Sequence, residues 1–171
     1  PSMRRYTEMG LVPVGIPSTI GAAAAAAHLL KLDAQQTLNA LAIAGSLAGW
    51  CPAEVIFGQG GTVKPMLFGA QPADTAVTAA YYARAGMTGP VDLLDSKIGY
   101  FTTTSTHGNF DEKVWTDKWA LGQPRRKLHA CCGYLHSPVD ALAMLRQQIP
   151  ADALQKGQIS VRVSPYVADV V

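Results

Sequence analysis

The sequence has little charge and no long hydrophobic run. Charged residues make up 15% of its 171 residues, below the roughly 25% that is usual for soluble domains, and the net charge is +2. The tight basic cluster, residues 125–127, has no aromatic side chains interleaved to stack bases. The alanine run at residues 22–27 is too short to span a bilayer, and the first residues lack a signal peptide's apolar core. We therefore predict a cytoplasmic protein that binds neither nucleic acid nor membrane.

Cysteine is also scarce, with only Cys51, Cys131 and Cys132 in the chain. An odd count with two adjacent members does not fit a disulfide framework, so we expect reduced thiols. Adjacent cysteines rarely both reach one zinc ion, and no second C-x-x-C or H-x-x-x-H pair is present. The sequence therefore predicts neither a disulfide nor a metal site.

Helical patterns fill the first two thirds of the chain. Ser18 or Thr19 is a candidate cap for an alanine-rich helix that runs to about Lys31, and its small side chains would let a neighbouring helix approach closely. Asp33 is placed to cap the next helix, with Gln36 at the capping-box position. These two segments predict a helical hairpin.

A glycine-rich break, FGQGGTVKP at residues 57–65, precedes a third helix. Thr62 is its candidate cap, and the helix is expected to stop at Gly86. Pro72 lies inside this pattern and should kink the helix or divide it in two. Pro90 then predicts the start of a short helix.

The pattern changes after Pro124. Residues 126–132 resemble a strand that enters a turn, and residues 159–163 alternate apolar and polar side chains like a second strand. Between them, Ser137 and Pro138 begin a helix whose predicted buried face comprises Val139, Leu142, Leu145 and Ile149. The prediction is a mainly α protein: a helical domain over residues 1–122, then the start of a smaller α+β domain, β-α-β, over residues 123–171.

The stretch RRKLHACCGYLHSPVDAL, residues 125–142, holds most of the candidate chemistry. Cys132 is a possible thiol nucleophile because Lys127 and His136 lie close in sequence, although both adjacent cysteines also suit simple packing. Tyr134 is either a packed ring or a hydroxyl in a site. Lys64 follows GQGG at a predicted helix N-terminus, where backbone amides favour anions. Two cationic places suit a substrate with more than one carboxylate.

Three runs of the chain together resemble the MmgE/PrpD family. They are GLVPVGIPSTIGAAAAAAHLLKLDAQQTLNALAIAGSLAG, GTVKPMLFGAQPADTAVTAAYYARAGMTGP and RKLHACCGYLHSPVDAL, and the likeness covers residues 4–163. The family includes 2-methylcitrate dehydratases, cis-aconitate decarboxylases and iminodisuccinate epimerases. The resemblance implies an all-helical domain plus a smaller α+β lid, usually in homodimers, acting on small polycarboxylates with no metal or organic cofactor.

The resemblance also implies roles for individual residues. Lys64 and Lys127 would hold carboxylates and stabilise the charge that develops when a proton α to a carboxylate is removed. Cys132 falls where the decarboxylases have a catalytic histidine, so it is a candidate acid or base. The expected substrate-binding residues are Arg126, His136, Tyr134 and Thr62. Leu67 replaces a histidine that is common in the family, and Ala130 replaces a proline.

We therefore expect the central portion of a dehydratase-like lyase that acts on a di- or tricarboxylate by α-proton abstraction. The alternatives within the family are an epimerase or a decarboxylase. A homo-oligomer is expected, or a complementing chain if this is an inactive fragment or one subunit of a split enzyme, because the resemblance implies further helices that carry site residues. A cysteine-dependent hydrolase that uses Cys132 and His136 is the alternative from another class.

Overall fold

The chain forms two compact units, an N-terminal unit of residues 1–110 and a C-terminal unit of residues 111–171. The structure, a computed structural model, describes residues 3–12, 14–49, 63–105 and 119–170. The predicted cap Thr62 lies outside these described residues. The sequence places the domain boundary further along, at residues 122/123, and that assignment to a helical domain and a lid stays a prediction.

The described part of the N-terminal unit is helical. Its elements are α1 (Met3–Glu8), α2 (Gly15–Leu29), α3 (Ala34–Leu47), a π-helical turn (Met66–Ala70), α4 (Gln71–Arg84) and α5 (Tyr100–Thr104). The mainly α class predicted from the sequence is therefore confirmed.

The hairpin of α2 and α3 forms as the sequence indicates, but its first helix starts earlier than predicted. Thr19 is not a cap: its hydroxyl donates to the Gly15 carbonyl at 2.9 Å from within the helix. Asp33 caps α3, since its Oδ1 accepts from the Gln36 amide at 2.8 Å and the Gln36 side chain accepts from the Asp33 amide at 3.2 Å. Lys31, at φ 54°, turns the chain between the two helices.

Alanine side chains make the core where α2, α3 and α4 pack together. Ala23, Ala27, Ala40, Ala44 and Ala79 are fully buried. Because a methyl group fills little space, the three helices pack close together, and no room is left for water between them. The alanine run at residues 22–27 is therefore a packing surface, as the sequence predicts.

Pro72 interrupts the regular α-helical pattern of the third predicted helix. A proline has no amide hydrogen to donate to the carbonyl four residues earlier. The chain accommodates this defect with the π-helical turn Met66–Ala70 and begins α4 at Gln71, which places the buried Pro72 in the first turn. Gly86, at φ 93°, lies in the turn that ends α4, at the position the sequence indicates.

The helix predicted at Pro90 does not form. Residues 91–95 make hydrogen-bonded turns instead, and the next helix, α5, begins at Tyr100. The Gly89 amide donates to Asn39 Oδ1 on α3 at 3.1 Å. This long-range bond holds Gly89 against α3, directly before the residues whose sequence pattern predicts a helix.

The C-terminal unit has short helices joined by irregular segments. They are a 3₁₀ turn (Ala120–Gly122), a second 3₁₀ turn (Gly133–Leu135), α6 (His136–Leu145), α7 (Ala151–Lys156) and α8 (Pro165–Val170). The predicted strands at 126–132 and 159–163 are absent from this described part of the chain, which contains no strand. An alternating pattern becomes a strand only where another strand completes its hydrogen-bond ladder, and residues 119–170 supply none.

The predicted buried face of α6 is only partly covered. Leu142 is half-buried, whereas Val139 and Leu145 are 38% and 45% exposed. Ile149 lies beyond the end of α6 and is 36% exposed. Indeed, no residue of the range 119–170 whose burial the structure describes is fully buried. In the described ranges of both units, no helix has the length and apolar character needed to cross a bilayer.

Candidate functional site

The predicted site residues fall in two separate places. Lys64 belongs to the N-terminal unit, whereas the C-terminal unit contains Arg126, Lys127, Cys132, Tyr134 and His136. These five residues lie on one short segment that leads into α6 and are therefore neighbours in the sequence.

Lys64 is half-buried in the turn before the π-helical segment. The amides of Met66 and Leu67 both donate to the Val63 carbonyl, at 2.9 and 3.1 Å, and Pro65 has no amide hydrogen to offer. These amides are therefore already engaged, or missing, where the sequence predicts an anion-binding helix N-terminus. A carboxylate at this point would therefore be bound mainly by the ammonium group of Lys64 rather than by backbone amides.

A small cavity lies in the same unit. Its volume is about 20 Å³, room for about one water molecule. Gln71 Nε2 donates to Thr75 Oγ1 at 3.1 Å on its wall. Leu67, which stands where the resemblance expects a histidine, also lines it. The cavity is too small for a polycarboxylate.

In the C-terminal unit, Lys127 stabilises the turn that carries the two cysteines. Its Nζ donates to the Cys131 carbonyl at 2.8 Å, and the Cys131 amide donates to the His129 carbonyl at 2.8 Å. An ammonium group has three N–H donors, so two remain for other partners. Lys127 and the neighbouring Arg126 are both exposed, so both cations are accessible to an anion from solvent.

Cys132 is a half-buried free thiol that caps the second 3₁₀ turn through its backbone. Its carbonyl accepts from the Leu135 amide at 2.9 Å. A thiol nucleophile needs a hydrogen-bonded base. His136 Nε2 is buried and has no hydrogen-bond partner in the described structure, so this atom does not activate the thiol.

A histidine–carboxylate pair forms beside these residues. His129 Nε2 lies 2.7 Å from Asp140 Oδ1, which α6 presents one turn after its start. The His129 ring also meets the His136 ring edge to face, with centroids 5.1 Å apart at 83°. The sequence alone does not single out His129 or Asp140 as members of a site. The available signal is an acidic residue near the start of the helix that follows a histidine-bearing turn.

Tyr134 packs its ring against Tyr166, with centroids 5.8 Å apart at 88°. A hydrogen bond with the Tyr166 side chain raises the pKa of Tyr134, and partial burial raises it further. The Tyr134 hydroxyl therefore stays protonated at neutral pH, where it can act only as a neutral hydrogen-bonding group. Its ring has a packing role, and 40% of the residue remains exposed.

The segment thus combines three cations, two imidazoles, a carboxylate and two thiols. Within the ranges that the structure describes, no three His, Cys, Asp or Glu side chains cluster closely enough to hold a metal ion. The groups present suit proton transfer next to a bound anion.

Comparison with known proteins identifies relatives of this chain. The family model described as "MmgE/PrpD N-terminal domain" matches residues 2–113. The "Cis-aconitate decarboxylase-like protein oryM" of Aspergillus oryzae is 33% identical over 138 residues, which cover 75% of this chain and 28% of that relative. No solved structure matches the chain. The resemblance inferred from the sequence is confirmed, and the chain spans well under a third of the length of this curated relative.

Proposed function

Because the chain belongs to the MmgE/PrpD family, we propose that it is part of a lyase that acts on a small di- or tricarboxylate in the manner of a dehydratase. The family match over residues 2–113 is the observation that carries this proposal. The proposed reaction begins with removal of a proton α to a carboxylate and uses no metal or organic cofactor.

Lys127 is proposed as the cation that stabilises the negative charge of the deprotonated substrate. Removal of an α-proton moves charge onto the adjacent carboxylate, and a positioned ammonium group lowers the energy of that state. Lys127 suits this role because its bond to the Cys131 carbonyl fixes the side chain and leaves two donors. Lys64 is proposed to bind a second carboxylate.

The remaining predicted residues have supporting roles in this proposal. Arg126, Tyr134, His136 and Thr62 would contact the substrate. Cys132 would act as an acid or a base, or would only fill space. Supporting these roles, the exposed guanidinium of Arg126 and the protonated hydroxyl of Tyr134 are both suited to carboxylate oxygens.

A decarboxylase is the second candidate, since the similar Aspergillus protein is described as cis-aconitate decarboxylase-like. Two positions in the sequence rank the decarboxylase below the dehydratase-like lyase. Cys132 and Leu67 stand where the resemblance expects histidines. Product analysis separates the two reactions, because only decarboxylation releases carbon dioxide.

We also propose that activity requires an assembly, either a homo-oligomer or this chain with a complementing one. The match covers 28% of the Aspergillus protein, so most residues of that protein have no counterpart in this chain. Residues of a second chain would supply the missing part of the site. Native mass measurement on the purified protein identifies the assembly, and a cytoplasmic location stays a prediction.

The test is the turnover of citrate, 2-methylcitrate, cis-aconitate and iminodisuccinate by the purified assembly. We expect Lys127→Ala to lower kcat/KM by about 100-fold or more, as expected when a charge-stabilising group is removed. The matched control is Lys156→Ala, which removes another exposed lysine of the same unit, at the end of α7. Unchanged turnover in Lys127→Ala would contradict the assigned role.

A further inference from the structure

The bond between His129 and Asp140 fixes which nitrogen of the histidine is free. A carboxylate accepts hydrogen bonds, so at 2.7 Å the ring places its Nε2 hydrogen on Asp140 Oδ1. In the neutral ring, Nδ1 then carries the lone pair. His129 therefore presents a base at Nδ1 whose orientation is set from the opposite side of the ring.

Two further contacts hold this histidine in place. The His136 ring packs edge to face against it, and the Cys131 amide binds the His129 carbonyl at 2.8 Å. The same Cys131 accepts the Lys127 ammonium on its carbonyl, so the lysine and histidine belong to one closed turn. The His129 side chain is still 31% exposed and so remains accessible to a ligand.

From this geometry we infer that His129, rather than Cys132, is the proton-transfer group of this site, and that Asp140 is its positioning residue. The inference rests on the proposed function, because it assigns the base for that reaction. It also accounts for the cysteine at position 132: an imidazole three residues earlier supplies the acid–base group that the resemblance places there.

The step balances as an elimination. His129 Nδ1 takes the α-proton, the carbon–hydrogen bond breaks, and its electron pair passes to the adjacent carboxylate near Lys127. The pair then forms the carbon–carbon double bond as the β-hydroxyl leaves. The leaving hydroxyl takes the proton from the His129 imidazolium and departs as water, which returns the histidine to its neutral form.

Kinetics with matched variants test the assignment. We expect His129→Gln to lower kcat by about 100-fold or more, because it removes general acid–base catalysis. Cys132→Ser should lower kcat far less than His129→Gln does, and His28→Gln, at an exposed histidine of α2, should keep wild-type turnover. Asp140→Asn should lower kcat with little change in KM, with Asp140→Glu restoring turnover, whereas a purely structural Asp140 would change both constants together. Loss of turnover in Lys127→Ala but not in His129→Gln would overturn the inference and leave the proposed function intact.

A second readout does not depend on turnover. Nitrogen–proton correlation NMR on the full chain should show His129 with its hydrogen on Nε2, and Asp140→Asn should weaken that preference. Citrate as probe should shift the His129 signals in the wild type, and the shift should fall in Lys127→Ala. If no polycarboxylate is turned over but these shifts appear, the proposed lyase reaction is contradicted. The assignment of His129 Nδ1 as a base beside a bound anion is then retained. A hydrogen on Nδ1, or no citrate shift, overturns the inference.

Discussion

The two units differ in how they are held together. The N-terminal unit buries alanines from three helices, whereas no residue whose burial is described between residues 119 and 170 is fully buried. Apolar burial is the main favourable term in folding, so the first unit has its own source of stability. In the described part of the second unit, hydrogen bonds such as those of Lys127 and His129 join neighbouring segments. The residues proposed for proton transfer thus lie in the unit whose described residues are less buried.

This difference predicts that enlarging a core alanine lowers stability strongly. Ala27 is fully buried in α2, so Ala27→Leu should lower the free energy of unfolding by about 1 to 3 kcal/mol or more through overpacking. The exposed Ala24 of the same helix provides the control, since Ala24→Leu adds the same atoms where there is room. Urea unfolding measures both, and equal losses would break the comparison.

The N-terminal unit should also lose stability in alkali. Burial raises the pKa of Tyr6 from 10.0 to about 12, so the folded chain keeps this hydroxyl protonated after the unfolded chain has ionised it. The stabilising effect is complete below pH 10 and is lost as the pH rises towards 12. Tyr6→Phe should therefore flatten the fall in Tm over this range, and an unchanged slope would argue against a buried Tyr6 hydroxyl.

The cap of α3 should contribute a smaller amount. Asp33→Ala removes the bond to the Gln36 amide and should cost about 1 kcal/mol. Asp33→Asn keeps a capping oxygen and serves as the control. If thermal unfolding shows both variants equal to the wild type, the capping box has no role in stability.

The smallest effect is expected in the C-terminal unit. Leu145 is 45% exposed on α6, so Leu145→Ala should change the free energy of unfolding by no more than about 0.5 kcal/mol. Ile43→Ala in α3 is the matched comparison, where removing a buried side chain should cost about 2 to 5 kcal/mol. A large loss from Leu145→Ala would mean that this face is covered in solution, for example by another chain.

The structural features that could be predicted from the sequence depend on one residue or on residues within one helical turn. Asp33 and Gln36 form their capping box because both partners lie within one turn. Pro72 disturbs its helix because the missing donor is a property of the residue itself. Gly86 lies at the predicted helix end for a similar reason, since glycine readily adopts a positive φ.

Features that depend on distant partners could not be predicted in this way. The strand proposed at 159–163 requires a neighbouring strand that the described segment 119–170 lacks. The bond between His129 and Asp140 joins residues separated by a turn and the start of a helix, so spacing alone does not indicate it. The same holds for Gly89 and Asn39, which are far apart in the chain.

The most direct test of the proposed chemistry is deuterium incorporation at the carbon α to a carboxylate. The purified assembly would be incubated with citrate or 2-methylcitrate in deuterated water and followed by proton NMR. We predict that the wild type exchanges or eliminates this proton and that Lys127→Ala does so at least about 100-fold more slowly. Wild-type protein that leaves every polycarboxylate proton in place, or Lys127→Ala protein that matches the wild type, would contradict the account.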